Sequence, residues 1–267
     1  MPPARLSRTG QVFAGVERKC ARGVALAILL WALVPLRSAA QQVAPVTIQV
    51  NSSVQNASGS TGAEAAAVPA SGAVVWLTPR EGGDQAGDGA AGAAAKSRPR
   101  ITQHNKQFEP HLLVVQVGTV IDFPNRDPFF HNVFSQFDGK RFDLGLYEAG
   151  STNSVKFDRV GVSFLFCNIH PEMSAVVVTV DTPYYAVADH SGRATIANVP
   201  DGSYDLHVWS ERAVSEDMKK PKRTVAISAA NRNLPPLLLA NNPNFTTAHK
   251  NKYGQDYVPP QNNGYSH

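Results

Sequence analysis

The amino-acid sequence predicts an all-β protein, and three observations support this prediction. From residue 108 onward, short runs of β-branched and aromatic residues alternate with turn-forming Gly, Pro, Asn and Asp. Runs of this kind, bounded by turn residues, are typical of strands joined by tight loops. No segment after residue 41 repeats its apolar residues with the 3.6-residue period of a helix over a useful length. Strands without helices must bury their apolar faces against one another, so we expect sandwiches or barrels.

The first 40 residues have the pattern of a secretory signal peptide. Basic residues precede the apolar run GVALAILLWALVPL, and the small residues SAA follow before Gln41. This order predicts cleavage after Ala40 and a periplasmic or secreted mature chain. The alternative is retention as a membrane anchor, but the apolar run is shorter than the ~20 residues that span a bilayer. We therefore expect no stable membrane span after cleavage.

Removal of residues 1–40 changes both the charge and the cysteine content. The remaining chain has 19 Lys and Arg against 20 Asp and Glu. The basic balance therefore belongs to the leader and gives no indication of a nucleic-acid partner. Cys20 is lost with the leader, which leaves Cys167 as the single cysteine. No intramolecular disulfide is then possible, and in an oxidising compartment such a thiol is buried, reactive or bound to a ligand.

The chain divides into segments of different composition. Residues 41–80 contain the predicted strands VTIQV and AVVWLTP, and the Gly- and Ala-rich residues 81–99 predict a flexible linker. Residues 100–181 hold the densest series of strand patterns, including HLLVVQV, VSFLFC and SAVVVTV. Residues 182–240 add ATIANV, YDLHVW and RTVAIS, separated by turn signals such as PDG. Residues 241–267 form a polar tail, which we expect to be extended or disordered.

The stretch CNIHPEM concentrates three residue types that bind metals. Cys167 ends a predicted strand, and His170 and Met173 follow at three-residue intervals in a loop that Pro171 tightens. A loop between two strands can direct all three side chains to one point. His131, in FPNRDPFFHNVF, lies upstream at the start of a predicted strand and is the candidate fourth donor.

A thiolate, two imidazoles and a thioether discriminate among metals. Two His and one Cys with a weakly bound axial Met are typical of a copper site that transfers electrons. Zinc gains little from a thioether, and iron-sulfur clusters need more cysteines than this chain has. The donor set therefore predicts copper, cycling between Cu(I) and Cu(II). It indicates an electron carrier and not an enzyme.

Each of these residues alone also has a simpler interpretation. Buried structural thiols, loop histidines with ordinary hydrogen bonds and gap-filling methionines are all common. A Cys-His nucleophile pair is a further alternative, but a histidine three residues from the thiol on a turn is poorly placed as its base. The combination, and not any single residue, favours a metal.

On these residues the sequence resembles the cupredoxins. The segments FEPHLLVVQVGTVIDFPNRDPFFHNVF and VGVSFLFCNIHPEM carry the likeness, and the C-x-x-H-x-x-M loop is most similar to those of amicyanin and pseudoazurin. FDLGLY, CNIHPEM and VPDGSYDLHVW resemble bacterial secreted proteins of the methylamine-utilisation or plastocyanin-like type. The resemblance implies a Greek-key cupredoxin sandwich over residues 100–181. It also implies a type 1 copper bound by His131, Cys167, His170 and Met173.

The same resemblance implies roles for the residues around the ligands. The backbone N–H of Asn132 is expected to hydrogen-bond the sulfur of Cys167. Phe129 and Pro171, beside His170, are expected to form a docking surface for a redox protein, with a small transient interface. No paired H-x-H motifs indicate a second, oxygen-reducing copper cluster. The expected function is therefore transport of single electrons between redox partners, without substrate turnover.

The flanking segments resemble a different family. VTIQV to AVVWLTP, with ADHSGRATIANVPDGSYDLHVW, is similar to the carboxypeptidase-regulatory-like, transthyretin-like β-sandwich. This implies that the copper unit is inserted into, or joined to, a sandwich made from residues 41–80 and 182–240. In an alternative layout, AVVWL belongs to the copper unit. Two other functions stay open, namely a copper carrier or store without a redox partner, and a surface or carbohydrate-binding sandwich with an accessory copper domain.

Overall fold

The computed structural model describes five stretches of the chain, which are residues 43–53, 67–80, 97–136, 139–214 and 220–257. Within these stretches every extended regular element is a strand and no helix occurs, so the prediction of an all-β protein is confirmed. The signal peptide predicted in residues 1–40 and most of the linker predicted in residues 81–99 lie outside the described residues. The described part has no helix of the length and apolar character needed to cross a membrane.

Seventeen strands follow one another along the described residues. The first three are β1 (Val43–Ser53), β2 (Ala67–Pro69) and β3 (Val74–Pro79). The next nine are β4 (Thr102–His104), β5 (Gln107–Glu109), β6 (Leu112–Gln116), β7 (Val120–Pro124), β8 (His131–Ser135), β9 (Phe142–Tyr147), β10 (Thr152–Lys156), β11 (Gly161–Phe166) and β12 (Ser174–Val180). The last five are β13 (Tyr185–Val187), β14 (Arg193–Pro200), β15 (Gly202–Trp209), β16 (Arg223–Ile227) and β17 (Asn233–Ala240).

Strands from the beginning and the end of the described chain form two sheets. In the first sheet, β1 lies between β14 and β17, and β2 pairs with the end of β1. The second sheet has the order β13-β3-β15-β16. Alternate residues of β1 are buried, because successive side chains of a strand point to opposite faces. Both sheets contribute to one apolar core, with Ile48 and Ile196 from the first sheet and Leu77 and Leu206 from the second.

Strands within residues 100–181 pair with one another. Five of them form a sheet in the order β6-β12-β11-β8-β9, while β7 pairs with β10 and β4 pairs with β5. Their apolar core includes Phe123, Leu165 and Cys167. Phe166, the last residue of β11, pairs with Phe134 of the antiparallel β8, so the start of β8 runs past the end of β11 toward the loop that follows it. This arrangement brings His131 and Cys167 to the same end of the two neighbouring strands.

A third apolar cluster connects β3 with β12. Val74 and Trp76 of β3 pack with Val176 and Val178 of β12. Val177 faces the other way and belongs to the core of the five-stranded sheet, so β12 is buried on both faces. Its sequence SAVVVTV is a continuous apolar run, as expected for a strand without a solvent face. In hydrogen bonding, however, β3 pairs with β13 and β15.

The C-terminal residues 241–257 contain no strand, yet they contact the rest of the protein. The sequence indicated an extended or disordered tail, and this part of the tail has an irregular path. Its side chains are nevertheless engaged, since the ring of His249 stacks on Phe166 and the hydroxyl of Tyr257 reaches the backbone of Cys167. Residues 258–267 lie outside the described residues.

Candidate metal centre

The four residues predicted to bind a metal lie on neighbouring chain segments. His131 is the first residue of β8, and Cys167 directly follows β11. His170 and Met173 lie in the loop that leads into β12. Two backbone hydrogen bonds close this loop, from the N–H of Met173 to the carbonyl of His170 (3.2 Å) and from the N–H of Cys167 to the carbonyl of Met173 (3.3 Å). The two ends of the loop therefore meet.

The sulfur of Cys167 lies close to both imidazoles. Its Sγ is 3.8 Å from Nδ1 of His131 and 3.6 Å from Nδ1 of His170. One donor atom from each of the three residues lies within 4.8 Å of the other two. A sulfur and a nitrogen bound to one ion at about 2.3 and 2.0 Å are separated by roughly 3.5–3.8 Å. The measured separations thus fit three donors that share one metal ion.

The donors are shielded from water. His131, Cys167 and Met173 are 0% exposed, whereas His170 is half-buried. Met173 belongs to the same apolar core as Cys167. A thiolate in such surroundings loses its hydration and is unfavourable unless an opposite charge compensates it. A bound cation is the compensation that a metal site provides.

A buried carboxylate orients the ring of His131. The Nε2–H of His131 donates a hydrogen bond to Oδ2 of Asp127 at 2.7 Å, and both side chains are almost fully buried. An ionised carboxylate can only accept, so the proton lies on Nε2 and the lone pair of Nδ1 is directed at the sulfur of Cys167. Metal-binding histidines commonly have such a partner on their second ring nitrogen.

Asp127 is stabilised in its charged form by the turn between β4 and β5. Burial opposes its ionisation, but hydrogen bonds from the backbone N–H of Lys106, from His131 and from the N–H of Asn105 outweigh burial and lower the pKa of Asp127. Asn105 and Lys106 have φ values of 53° and 56°, in the left-handed region. This conformation turns two successive N–H groups toward one carboxylate.

His170 is the candidate ligand that lies nearest to solvent. Its ring centroid is 4.8 Å from the His131 ring and 5.7 Å from the Phe129 ring. Burial lowers the pKa of His170, the neighbouring His131 and Lys106 lower it further, and Asp127 acts in the opposite direction. The neutral imidazole is therefore favoured, which is the form that binds a metal.

Asn132 connects its strand to β9 through its side chain. Its Nδ2 donates to Oδ1 of Asp143 at 2.7 Å and to the carbonyl of Gly145 at 3.0 Å. The hydrogen bond predicted from the backbone N–H of Asn132 to the sulfur of Cys167 is not among those formed by the described residues, where the sulfur contacts the two imidazoles. A role for that N–H stays a prediction.

Exposed apolar side chains surround His170. Phe129, Phe130 and Ile169 are 36%, 55% and 43% exposed, respectively, and Pro171 is also exposed. Both residues predicted to form a docking surface, Phe129 and Pro171, are therefore accessible. Exposed apolar groups that lie together are typical of a surface that binds another molecule.

Two features of the centre were missed by the sequence reasoning. Asp127 precedes His131 by four residues, and an acidic side chain near a candidate histidine ligand was the available signal. Its role depends on a local turn in which the N–H of Asp127 donates to Oδ1 of Asn125. The contact of Tyr257 with Cys167 joins residues 90 positions apart, and no sequence pattern indicates it.

Comparisons with known proteins find copper proteins that are similar to part of this chain. No family model matches the sequence, and no curated protein matches it. A copper-containing nitrite reductase from Thermus scotoductus SA-01 is 21% identical with a TM-score of 0.32, over 34% of this chain and 24% of that one. A purple cupredoxin from Nitrosopumilus maritimus is 23% identical with a TM-score of 0.28, over 31% of this chain and 99% of that one. A variant of amicyanin is 23% identical with a TM-score of 0.30, over 34% and 89%.

Proposed function

We propose that the mature chain is an exported, mononuclear type 1 copper protein that carries single electrons between redox partners. The observation that carries this proposal is the position of the Cys167 sulfur, 3.8 and 3.6 Å from Nδ1 of His131 and His170. Met173 is buried on the same loop and supplies a thioether. A thiolate and two imidazoles with a weakly bound thioether are the donors of blue-copper sites. The protein turns over no substrate of its own.

Copper fits these donors better than zinc does. Structural zinc sites take four Cys or His donors, and catalytic zinc sites keep one position open to water. Here the described residues bring two imidazoles close to the sulfur of Cys167, and the fourth candidate donor is Met173. The fully buried Met173 is neither a Cys or His donor nor a position open to water. Soft thiolate and thioether donors favour copper, especially Cu(I).

The chain supplies a fixed set of donors for both oxidation states. Copper in such a site supplies the Cu(I)/Cu(II) couple. Asp127 holds the ring of His131, and the backbone hydrogen bonds of the loop hold Cys167 and Met173. Because these supports do not depend on the oxidation state, little rearrangement accompanies the gain or loss of an electron. Small rearrangement favours fast transfer.

A redox protein partner would dock over His170. This imidazole is the part of the proposed ligand set that lies nearest to solvent, and Phe129 and Pro171 are exposed beside it. Electron-transfer partners bind through small interfaces that bury less than about 1,200 Å² in total, so that the complex separates quickly. A modest apolar surface around one exposed ligand suits such a complex.

We further propose that residues 100–181 form the copper unit and that it is inserted into a second sandwich. The pairing of β1 and β3 with strands of residues 182–240 supports this layout. In this arrangement residues 41–80 and 182–240 form a scaffold, and the described part of the tail, residues 241–257, reaches back to the copper unit.

The proposal is tested by visible absorption and electron paramagnetic resonance of the copper-loaded chain that begins at Gln41. We expect an intense absorption band in the visible range that makes the protein blue, because a thiolate bound to Cu(II) in this geometry gives a strong charge-transfer transition. Cys167→Ser should abolish the band, whereas His104→Gln, which changes an exposed histidine, should leave it intact. Bound Cu(II) without a blue band in the unmodified chain would contradict the proposal.

Electron transport is tested separately from the presence of copper. Rapid Cu(I)/Cu(II) self-exchange is expected of a carrier of electrons, since the ligands need not move. A blue protein with slow exchange that readily releases its metal to an acceptor would instead be a copper carrier or store.

A further inference from the structure

The C-terminal residues 249–257, here called the strap, contact the chain at the proposed metal ligand Cys167. The hydroxyl of Tyr257 donates a hydrogen bond to the carbonyl oxygen of Cys167 at 2.5 Å. A carbonyl oxygen can only accept, so the phenol hydroxyl is the donor in this hydrogen bond. The backbone of the cysteine is thus held from outside the loop that contains it.

Lys252 connects the strap to the residues that follow Cys167 and His131. Its backbone N–H donates to Oδ1 of Asn168 at 3.0 Å, the residue directly after the cysteine. Its Nζ donates to Oδ2 of Asp143 at 2.8 Å. The other oxygen of Asp143 accepts from Asn132, the residue directly after His131. One residue of the strap therefore contacts, directly or through one carboxylate, the neighbours of two proposed ligands.

Aromatic rings complete the contact. The ring of His249 stacks on Phe166, the residue directly before Cys167, with centroids 4.1 Å apart and planes inclined by 22°. The ring of Tyr257 meets His249 edge to face at 5.4 Å. Three consecutive residues, 166–168, are thus each contacted by the strap.

We propose that the strap is a positioning element of the metal centre, in which Tyr257 and Lys252 hold the backbone of Cys167 so that its sulfur faces the two imidazoles. The loop itself has only the two internal backbone hydrogen bonds described above, both on the side of Met173. The strap supplies two further hydrogen bonds from outside the loop, to the cysteine carbonyl and to the side chain of Asn168. The proposal rests on the proposed function for the identity of the metal, but the contacts exist without a metal.

The strap offers a matched control for this role. Tyr253 lies in the same segment and is 70% exposed, and its ring contacts the Nζ of Lys252 and not the loop. Tyr257→Phe removes the hydroxyl that reaches Cys167, whereas Tyr253→Phe removes an exposed hydroxyl that lies beside the side chain of Lys252 and does not reach Cys167. If the strap were only a covering of the surface, the two substitutions would have equal effects on the thiol.

The experiment measures how fast Cys167 reacts with a thiol reagent in metal-free chains that begin at Gln41. Loss of one hydrogen bond raises the equilibrium constant for the local opening that exposes the thiol by roughly two- to tenfold. Tyr257→Phe should therefore react faster by that factor. Tyr253→Phe should react at the rate of the unmodified protein. Truncation after Ala248 should increase the rate further than Tyr257→Phe does, because Lys252 and His249 are lost as well. Thermal unfolding of each variant verifies that it is folded.

Unchanged thiol reactivity in both Tyr257→Phe and the truncated chain would overturn the proposal. If the truncated chain does not fold, the comparison of the two Phe variants decides the question. A second readout uses copper-loaded protein, in which Tyr257→Phe should change the hyperfine splitting of Cu(II) and the reduction potential. A faster thiol reaction in Tyr257→Phe, together with no blue colour in the copper-loaded unmodified chain, would support the strap and contradict the copper proposal. An unchanged thiol reaction in Tyr257→Phe and in the truncated chain, together with a blue unmodified protein, would contradict the strap and support the copper proposal.

Discussion

At the scale of single residues, the smallest unit of the candidate centre is the buried pair of Asp127 and His131. The carboxylate accepts from the Nε2–H of the imidazole and from two backbone N–H groups, those of Asn105 and Lys106. Its negative charge therefore determines which nitrogen of the ring has the free lone pair. An amide at the same position could accept through one oxygen only. Its NH2 group could instead donate to an unprotonated Nε2 of His131, which would leave the proton on Nδ1.

Asp127→Asn is accordingly expected to weaken copper binding by roughly 10–100-fold, the usual effect of removing the partner of a metal-binding histidine. Competition with a copper chelator measures the affinity. Asp158→Asn is the control, because Asp158 is half exposed, pairs with Lys140 at 2.9 Å and lies away from the centre. An Asp127→Asn protein with the affinity of the unmodified chain would show that the carboxylate does not orient the ligand.

The residues of the candidate centre differ in how well the sequence predicts them. Cys167, His170 and Met173 lie within one short loop, so their spacing alone indicates that they can face one point. His131 could be proposed because it begins a strand pattern. Tyr257 could not, because its contact with the loop depends on the path of the whole tail, which carries no periodicity. Local constellations are visible in a sequence, whereas contacts made by irregular segments are not.

At the scale of elements, two glycines have nearly the same φ angle but differ in the space around them. Gly192, in the turn before β14, and Gly72, in the turn before β3, have φ values of 77° and 76°. A Cβ at Gly192 would lie 2.4 Å from the carbonyl oxygen of Val50, whereas a Cβ at Gly72 would meet nothing within 4 Å. Contact with a backbone oxygen cannot be relieved by rotation of a side chain.

Gly72→Ala should therefore lower the free energy of unfolding by about 1–2 kcal/mol, the cost of a left-handed conformation with a Cβ. Gly192→Ala should lower it by a further 1–3 kcal/mol or so, because Val50 and its strand must shift. Denaturant unfolding of the two variants measures the difference. Equal destabilisation would mean that the sheet around β1 adapts without cost.

The positions of the strands can be predicted from the sequence, but which strands pair with one another cannot. The alternation in β1 and the apolar run of β12 indicate strands with one and two buried faces. The parallel pairing of β12 with β6, in which Val178 opposes Val114, has no local signal. Pairing is decided by which buried faces fit together over the whole fold, and a short apolar run is compatible with many partners.

Across the whole molecule, an ion pair joins the segment before β6 to the segment after β15. Nε2 of His111 lies 2.9 Å from Oε2 of Glu211, and Nδ1 of the same ring lies 3.0 Å from the carbonyl oxygen of Ser174. With both nitrogens protonated, the ring donates two hydrogen bonds. The hydrogen bond to Glu211 raises the pKa of His111 above 6.5, burial opposes this effect, and the charge of Glu211 and the bond to Ser174 reinforce it.

Stability should therefore depend on pH through His111. A raised pKa in the folded state means that the contribution is fully present below about pH 6.5 and is lost as pH rises through the folded value. The melting temperatures of the unmodified chain and of His111→Gln should differ more at about pH 5.5 than at about pH 8.5. The same difference at both pH values would show that the charged form of His111 has no part in joining these segments.

The position of β1 between β14 and β17 has a consequence for the order in which the protein folds. Thr47 pairs with Thr195 on one side and with Asn233 on the other. The first described strand can therefore complete its pairing only after β14 and β17 have been made. The strands of residues 100–181 form their hydrogen-bonded pairs within that range, and partners closer together in the chain meet sooner. During synthesis, which delivers the N-terminus first, most of both edges of β1 stays unpaired over this interval, because β2 pairs only with its last three residues. Newly made chains are then vulnerable to pairing with one another through β1, and a holding chaperone would protect them.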